Sequence, residues 1–414
     1  MKANKTSFRF GHVLSLIAIA TLCLTMGAAA QTEKFVHSFS NNNIDGNLPL
    51  YGGLVSDAVG NLYGTTALGG AISAGVVYEL SPRAGGGWSE RVQYSFTGTG
   101  GRNPEGALTF DAAGNLYGTT AAGGANNNSG TVFELSPKAG AWTEKVLYNF
   151  GANSTDGQFL YGGVTLDSAG NVYGVTGSGG TSGFGTVFEL SPSSSGTWTE
   201  TILLNFDSTN GAYPQGTLIF DTAGNLYGTT GRGGAAGNGV VFELSPSSGG
   251  GWTETILYDF NSSKGPVSPA AGVIMDSAGN LYGTGSGGGA FNVGAAFKLS
   301  PSGGTWTETT MYSFITGSRG DGNLAHGLTM DSAGNFYGTT AEGGSNVCQR
   351  GCGIVFKLTP SGNSWTETIL HRFGSGTDGH DPRSEVVVDA AGNVYGTATA
   401  GGAFGVGMVF EIVP

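Results

Sequence analysis

The stretch Asp111-Ala112-Ala113-Gly114-Asn115-Leu116-Tyr117-Gly118-Thr119-Thr120 decides the fold, because its core pattern, Asp-x-x-Gly-Asn-x-Tyr-Gly, begins again at Asp57, Asp167, Asp221, Asp276, Asp331 and Asp389. The seven copies are spaced by 54, 56, 54, 55, 55 and 58 residues. Before each lies a short apolar run such as Leu108-Thr109-Phe110. After each come a Gly-Gly loop, a run like Val132-Phe133-Glu134-Leu135-Ser136-Pro137, and a Trp-Thr-Glu stretch that closes in Phe. Each unit therefore reads as four short strands. The first, a brief apolar run ended by a turn signal, is expected to be buried on both faces. Asp caps the following hairpin with its own side chain, and Gly supplies the left-handed position. The mid-strand Gly118 predicts close approach of a backbone or a large ring, and Pro137 ends the third strand.

Four-stranded units at this period predict an all-β, seven-bladed β-propeller. The two ends of the chain support a closed ring. Thr32 to Phe39 matches a fourth strand with no unit ahead of it, while the last unit stops at its third strand, Val409-Phe410-Glu411-Ile412. The N-terminal strand is thus expected to complete the last blade, which removes the exposed sheet edges that invite aggregation. An open solenoid would call for polar caps instead. Residues 31–414 are expected to form this single domain.

Residues 1–30 read as a signal peptide: Lys2, Lys5 and Arg9, an apolar run from Val13 to Met26, then Ala28-Ala29-Ala30. Cleavage near Ala30 would deliver a secreted or periplasmic protein. The run is too short to span a bilayer, and no later segment is long enough, so no membrane span is expected. Cys23 lacks the residues of a lipobox before it. The mature chain would keep 14 Lys+Arg against 29 Asp+Glu, with the bases scattered singly, which excludes nucleic acid as a partner. Cys348 and Cys352 share one Gly-rich loop and read as a disulfide staple. The rival, a metal held by two thiolates, falls short of the four ligands of a structural zinc site.

The repeated pattern resembles the turn of NHL-type propellers. With its Gly-Gly, Val-Phe-Glu-Leu-Ser-Pro and Trp-Thr-Glu segments it is similar, over essentially the whole mature chain, to the GloVer (Gloeo/Verruco) tandem-repeat family of exported bacterial proteins. The resemblance implies no activity and no catalytic residues. Members often end in a surface anchor, whereas this chain ends at Ile412-Val413-Pro414 without one.

Of 414 residues 78 are Gly and only 11% are charged, against roughly 25% in typical soluble domains. Repetition accounts for most of that charge. Of the 29 acids, the turn Asp, the Glu of the Thr-Glu pair and the third-strand Glu are framework positions, leaving Asp45, Glu105, Asp156, Asp207, Asp259, Asp321, Glu342, Asp378, Asp381 and Glu385. Among the three residues before each turn Asp there is no charge, and one position further out only Glu385 carries any. The wall of the channel is therefore expected to be bare of ionisable groups.

Binding is expected instead on the face carrying the links between blades and the loops after the second strands. Candidate residues there are Arg102, Asp156, Tyr161, Tyr213, Asp321, His326, His380, Asp381 and Arg383, irregular side chains on a rigid scaffold; the Asp of the Asp-Gly pairs read first as turn residues. The expected function is a non-catalytic, exported, monomeric scaffold for a ligand or partner, with polysaccharide or a cell-surface protein as the classes considered. The alternative is an extracellular lyase or glycoside hydrolase with acid–base chemistry around His326 and His380. No cofactor or metal is expected; calcium in the Asp-Gly loops is the metal alternative. The once-per-blade Trp reads as packing between blades rather than as a sugar platform.

Overall fold

At each turn the Asp carboxylate organises four donors. Asp111 Oδ1 accepts from the amides of Ala113 and Asn115 at 2.9 and 2.8 Å, and Oδ2 from Asn115 Nδ2 at 2.8 Å and the Tyr117 hydroxyl at 3.4 Å. Burial works against the Asp111 charge, but these bonds outweigh it and hold the carboxyl below its ordinary range. Gly114, at φ 86°, closes the turn. The same turn forms in every unit.

The computed structural model describes residues 32–40, 42–138, 140–261, 265–269, 271–315, 320–374 and 376–413; the signal-peptide reading of residues 1–30 lies outside them. From each turn grows a four-stranded antiparallel sheet, as in Thr109–Phe110, Leu116–Thr120, Thr131–Lys138 and Ala141–Asn149. Seven such sheets make a seven-bladed propeller. The last combines Val387–Val388, Val394–Ala398 and Met408–Val413 with the N-terminal strand Thr32–Ser38. That strand lies antiparallel to Met408–Val413, with Thr32 opposite Val413 and Phe35 opposite Phe410. The first strands differ from expectation. They span two residues and are half-buried, because each is the inner edge of its sheet with a single neighbouring strand.

Blades adhere through one aromatic pair repeated around the ring. The Phe that closes each fourth strand is fully buried and meets, at a steep angle, the third-strand ring of the next blade: Phe96 with Phe133 at 5.1 Å, Phe150 with Phe188 at 4.9 Å, Phe39 with Tyr78 at 5.0 Å across the closure. That third-strand ring sits over the mid-strand Gly of its own blade. A Cβ on Gly118 would lie 2.6 Å from Phe133 Cζ, and one on Gly228 2.5 Å from Phe242 Cζ. The glycine is therefore the socket of the ring that bonds the blades. Tryptophans add to the same seams, Trp142 against Tyr63 at 6.1 Å and Trp88 against Tyr395 at 5.7 Å. Nearer the axis, buried threonines of the second strands reach the next link, as Thr119 Oγ1 does to Gly162 O at 2.7 Å.

Candidate functional site

The links between blades build the mouth of the channel. In every link one residue other than Gly takes a left-handed backbone: Leu48, Asn103, Phe159, Tyr213, Ser268, Leu324 and Asp381, with φ between 53° and 61°. In blades of regular link length this geometry lets one residue bond two blades. Phe159 N donates to Ser129 O of the preceding blade at 2.8 Å, while its carbonyl accepts from Gly177 N at 2.8 Å. These bonds use the backbone alone, so the side chain's identity is free to vary.

Inside this ring lies a narrow throat of about 40 Å³ to which all seven links contribute, through residues including Tyr51, Tyr161, Gln215, His326, Arg383 and Glu385. It is room for a few water molecules. Most links place a small residue at the wall position, Gly53, Ala107, Gly163, Gly272 or Gly327; the last blade places Glu385 there. Its carboxyl is packed against Gly327, where a Cβ would collide with Oε1. Burial pushes Glu385 up to about 7. Glu105, at the rim beside Tyr161, is pushed up to about 7 by burial as well.

His326 is 7% exposed, and its Nε2 has no hydrogen-bond partner among the described residues. Burial first, and then the Arg383 charge, push it down to about 3, so the imidazole is neutral. Its ring lies 6.1 Å from that of Tyr51. Arg383 is held by an ion pair from its Nε to Asp381 Oδ1 at 2.9 Å and by a hydrogen bond with Tyr51. The structure thus brings Tyr161, His326 and Arg383 to the throat, with Asp381 behind Arg383.

Other candidates lie elsewhere. Asp156, 1% exposed, caps its link through the amide of Ala152 at 2.7 Å and receives the Tyr148 hydroxyl at 3.4 Å. Asp321 accepts from Ile315 N at 2.5 Å and from the Tyr312 hydroxyl. Both belong to a pattern at the seams, in which an outer-strand Tyr or His, a link Asp and the Glu of the next blade's Thr-Glu pair meet. Burial, and secondarily Asp156, pushes Glu200 up to about 7; burial and Asp321 do the same to Glu367. At the two seams beside the closing strand the outer-strand residue is His. His37 meets Asp45 at 3.3 Å, and His371 meets Asp378 at 3.4 Å and Glu33 at 3.6 Å.

Arg102 is exposed and pairs through its backbone with Ala122. Tyr213 is 38% exposed on the outer ring, with the Arg232 guanidinium 5.3 Å from its ring centre. His380 sits on the link strand Gly379–His380 opposite Ala400 and does not line the throat. Cys348 and Cys352 form a disulfide. Their loop walls a separate hollow of about 440 Å³ beside Asn323, Glu342 and Arg350.

The expectation of a wall bare of ionisable groups is corrected. His326 and Arg383 face the throat because the wall takes in residues two to three places before the apolar run, and Glu385, the charge already noted one place before it, joins them. Sequence reading missed Tyr51, Glu105 and Gln215 as site residues. The available signal was the residue three places before Leu54, Leu108, Val164, Leu218 and Val386, which is Tyr51, Glu105, Tyr161, Gln215 and Arg383.

The family model described as the Gloeobacter/Verrucomicrobia repeat matches residues 22–219, 194–350 and 307–414. No curated protein sequence matches. Among solved structures, PorZ, a surface component of the type-IX secretion system of Porphyromonas gingivalis, aligns at 13% identity and a TM-score of 0.43. The alignment covers 81% of this chain but 43% of that one. A PL25 ulvan lyase aligns at 11% identity and a TM-score of 0.53, covering 92% and 96%. A protein of unknown function from Dyadobacter fermentans aligns at 12% and 0.46, covering 93% and 98%. At these identities the likeness is one of fold alone.

Proposed function

The chain belongs to the Gloeobacter/Verrucomicrobia repeat family, and from that premise we propose that this member is an exported binding scaffold whose ligand docks on the channel mouth, with carbohydrate as its class. One observation carries the reading. In a chain that repeats itself blade after blade, the positions at the rim of the throat vary, and they gather Tyr51, Tyr161, Gln215, the neutral His326 and Arg383. Tyrosine faces and a few polar groups on a rigid rim suit a ligand rich in hydroxyls and C–H faces. The throat, at about 40 Å³, is far below the roughly 300–1,000 Å³ of an enclosing ligand pocket. The ligand therefore lies across the mouth and sends only a small group inward.

The chemistry of His326 supports binding over catalysis. A general base works best with a pKa near the operating pH, whereas burial and Arg383 leave this imidazole at about 3. His380, its partner in the lyase or hydrolase alternative, is not at the throat. Export by the leader 1–30 is part of the proposal.

The test is a panel of oligosaccharides titrated calorimetrically against the mature protein. Tyr161→Ala is expected to weaken the ligand found by about tenfold or more without lowering the melting temperature appreciably. A ligand bound equally well by that variant sits elsewhere, and turnover of a polysaccharide lost in His326→Ala would establish the enzyme instead.

A further inference from the structure

The throat gathers polar groups without partners. The Glu385 carboxyl lines the throat, half-buried and packed against Gly327, and makes no hydrogen bond with another described residue. The buried Nε2 of His326, the residue before the Gly327 against which Glu385 packs, also has no partner. At the rim, Glu105 is in the same condition, and burial alone accounts for its displaced ionisation. The one cation lining the throat among the described residues, Arg383, is already committed to Asp381 and Tyr51. A buried polar atom left unpaired, as His326 Nε2 is, is destabilising by about 1–3 kcal/mol, so native proteins keep few of them without a reason.

We propose that the throat receives a primary ammonium group of the ligand, so that the carbohydrate class is an amino sugar; this rests on the reading of the mouth as a carbohydrate site. An ammonium is compact and carries three donors and no acceptor, which suits the Glu385 carboxylate and, when the imidazole carries its proton on Nδ1, the open Nε2 of His326. Its charge meets the carboxyl of Glu385, with Glu105 at the rim, and the faces of Tyr51 and Tyr161 attract a cation entering between them. A neutral hydroxyl brings one donor and no charge. A uronate or sulfate brings more acceptors to a place already crowded with them, on a chain of formal net charge −12. A single metal ion fits less well. Among the described residues, ligand atoms of three such side chains come within 4.8 Å of one another at Glu33, His371 and Asp378 and at His37, Asp45 and Glu90, but not in the throat. Because Glu385 and Glu105 are partly protonated near neutral pH, capture of an ammonium favours their charged forms and releases protons.

The experiment titrates the mature protein with three oligosaccharides of matched length: chitosan (ammonium), chitin (N-acetylated and neutral) and oligogalacturonate (carboxylate). Chitosan is expected to bind about tenfold tighter than chitin, with proton release visible as a dependence of the measured heat on buffer ionisation at pH 7. Glu385→Gln, checked for an unchanged fold by its melting curve, is expected to abolish both the preference and the proton release. A preference that survives Glu385→Gln combined with Glu105→Gln is bulk attraction to an acidic protein and overturns the proposal. Chitin and chitosan bound equally, and both weakened by Tyr161→Ala, overturn the ammonium while the mouth site stands. Oligogalacturonate bound tightest overturns it in the same way. No binding by any of the three overturns both.

Discussion

The two ends of the channel, built by the same blades, differ in kind. At the turn end, Asp57, Asp111, Asp167, Asp221, Asp276, Asp331 and Asp389 make the same hydrogen bonds to the same partners. At the mouth, matching positions hold Tyr51, Glu105, Tyr161, Gln215 and Arg383. A hairpin needs one Asp and one Gly in every blade, so its demand repeats. The mouth needs only backbone bonds from its left-handed residues, and the side chains there answer to something other than the blade. Framework changes should therefore unfold the protein and mouth changes should not.

Removing residues 32–39 tests that contrast most severely. It exposes the edge of Met408–Val413 and strips Tyr78 of the Phe39 ring. Loss of the single cooperative transition, with aggregation, is expected by calorimetry and light scattering; unchanged melting would break the account of ring closure. Next in size, Phe150→Ala empties a fully buried seam and should destabilise by about 3–5 kcal/mol. Asp167→Ala orphans the amides of Ala169 and Asn171 and the Asn171 side chain, a loss of about 2 kcal/mol by urea unfolding.

The pH profile compares the interior acids with the turns. Glu33, Glu105, Glu200, Glu367 and Glu385 are raised from 4.5 to about 7. The folded state holds protons that the unfolded chain has released, so stability should fall as pH rises from about 4.5 through 7. His326, lowered from 6.5 to about 3, works the opposite way, losing stability as pH falls between those values. Turn aspartates such as Asp111, held below 3.8, lose theirs only in stronger acid. Five groups against one predict a higher melting temperature near pH 5 than near pH 8, with a shallower slope in Glu385→Gln. The smallest effect compares one blade with its sisters. Tyr78 stands where the others have Phe, and its buried hydroxyl has no partner among the described residues. Tyr78→Phe should stabilise by about 1 kcal/mol.

Legibility followed the same divide. Gly118 announced a large ring, and Phe133 occupies that place; the orphan strand at Thr32 announced closure, and it pairs with Met408–Val413. The mouth was legible in part, through Tyr161, His326 and Arg383. Tyr51, Glu105 and Gln215 stand at the same offset before the apolar run as Tyr161 and Arg383, but nothing within a single unit says that this offset turns toward the axis. Asp156 and Asp321, whose Asp-Gly pairs read first as turns, do cap the links that carry them with their carboxylates.

By itself the sequence determined the blade, its seven copies and the closing strand, because hairpin capping, strand alternation and the Gly socket act within some 55 residues and leave their mark in every unit. Only the tertiary structure decided which side chains share the throat. Glu385, His326 and Tyr51 come from three different blades, and they share one throat only once the ring has closed.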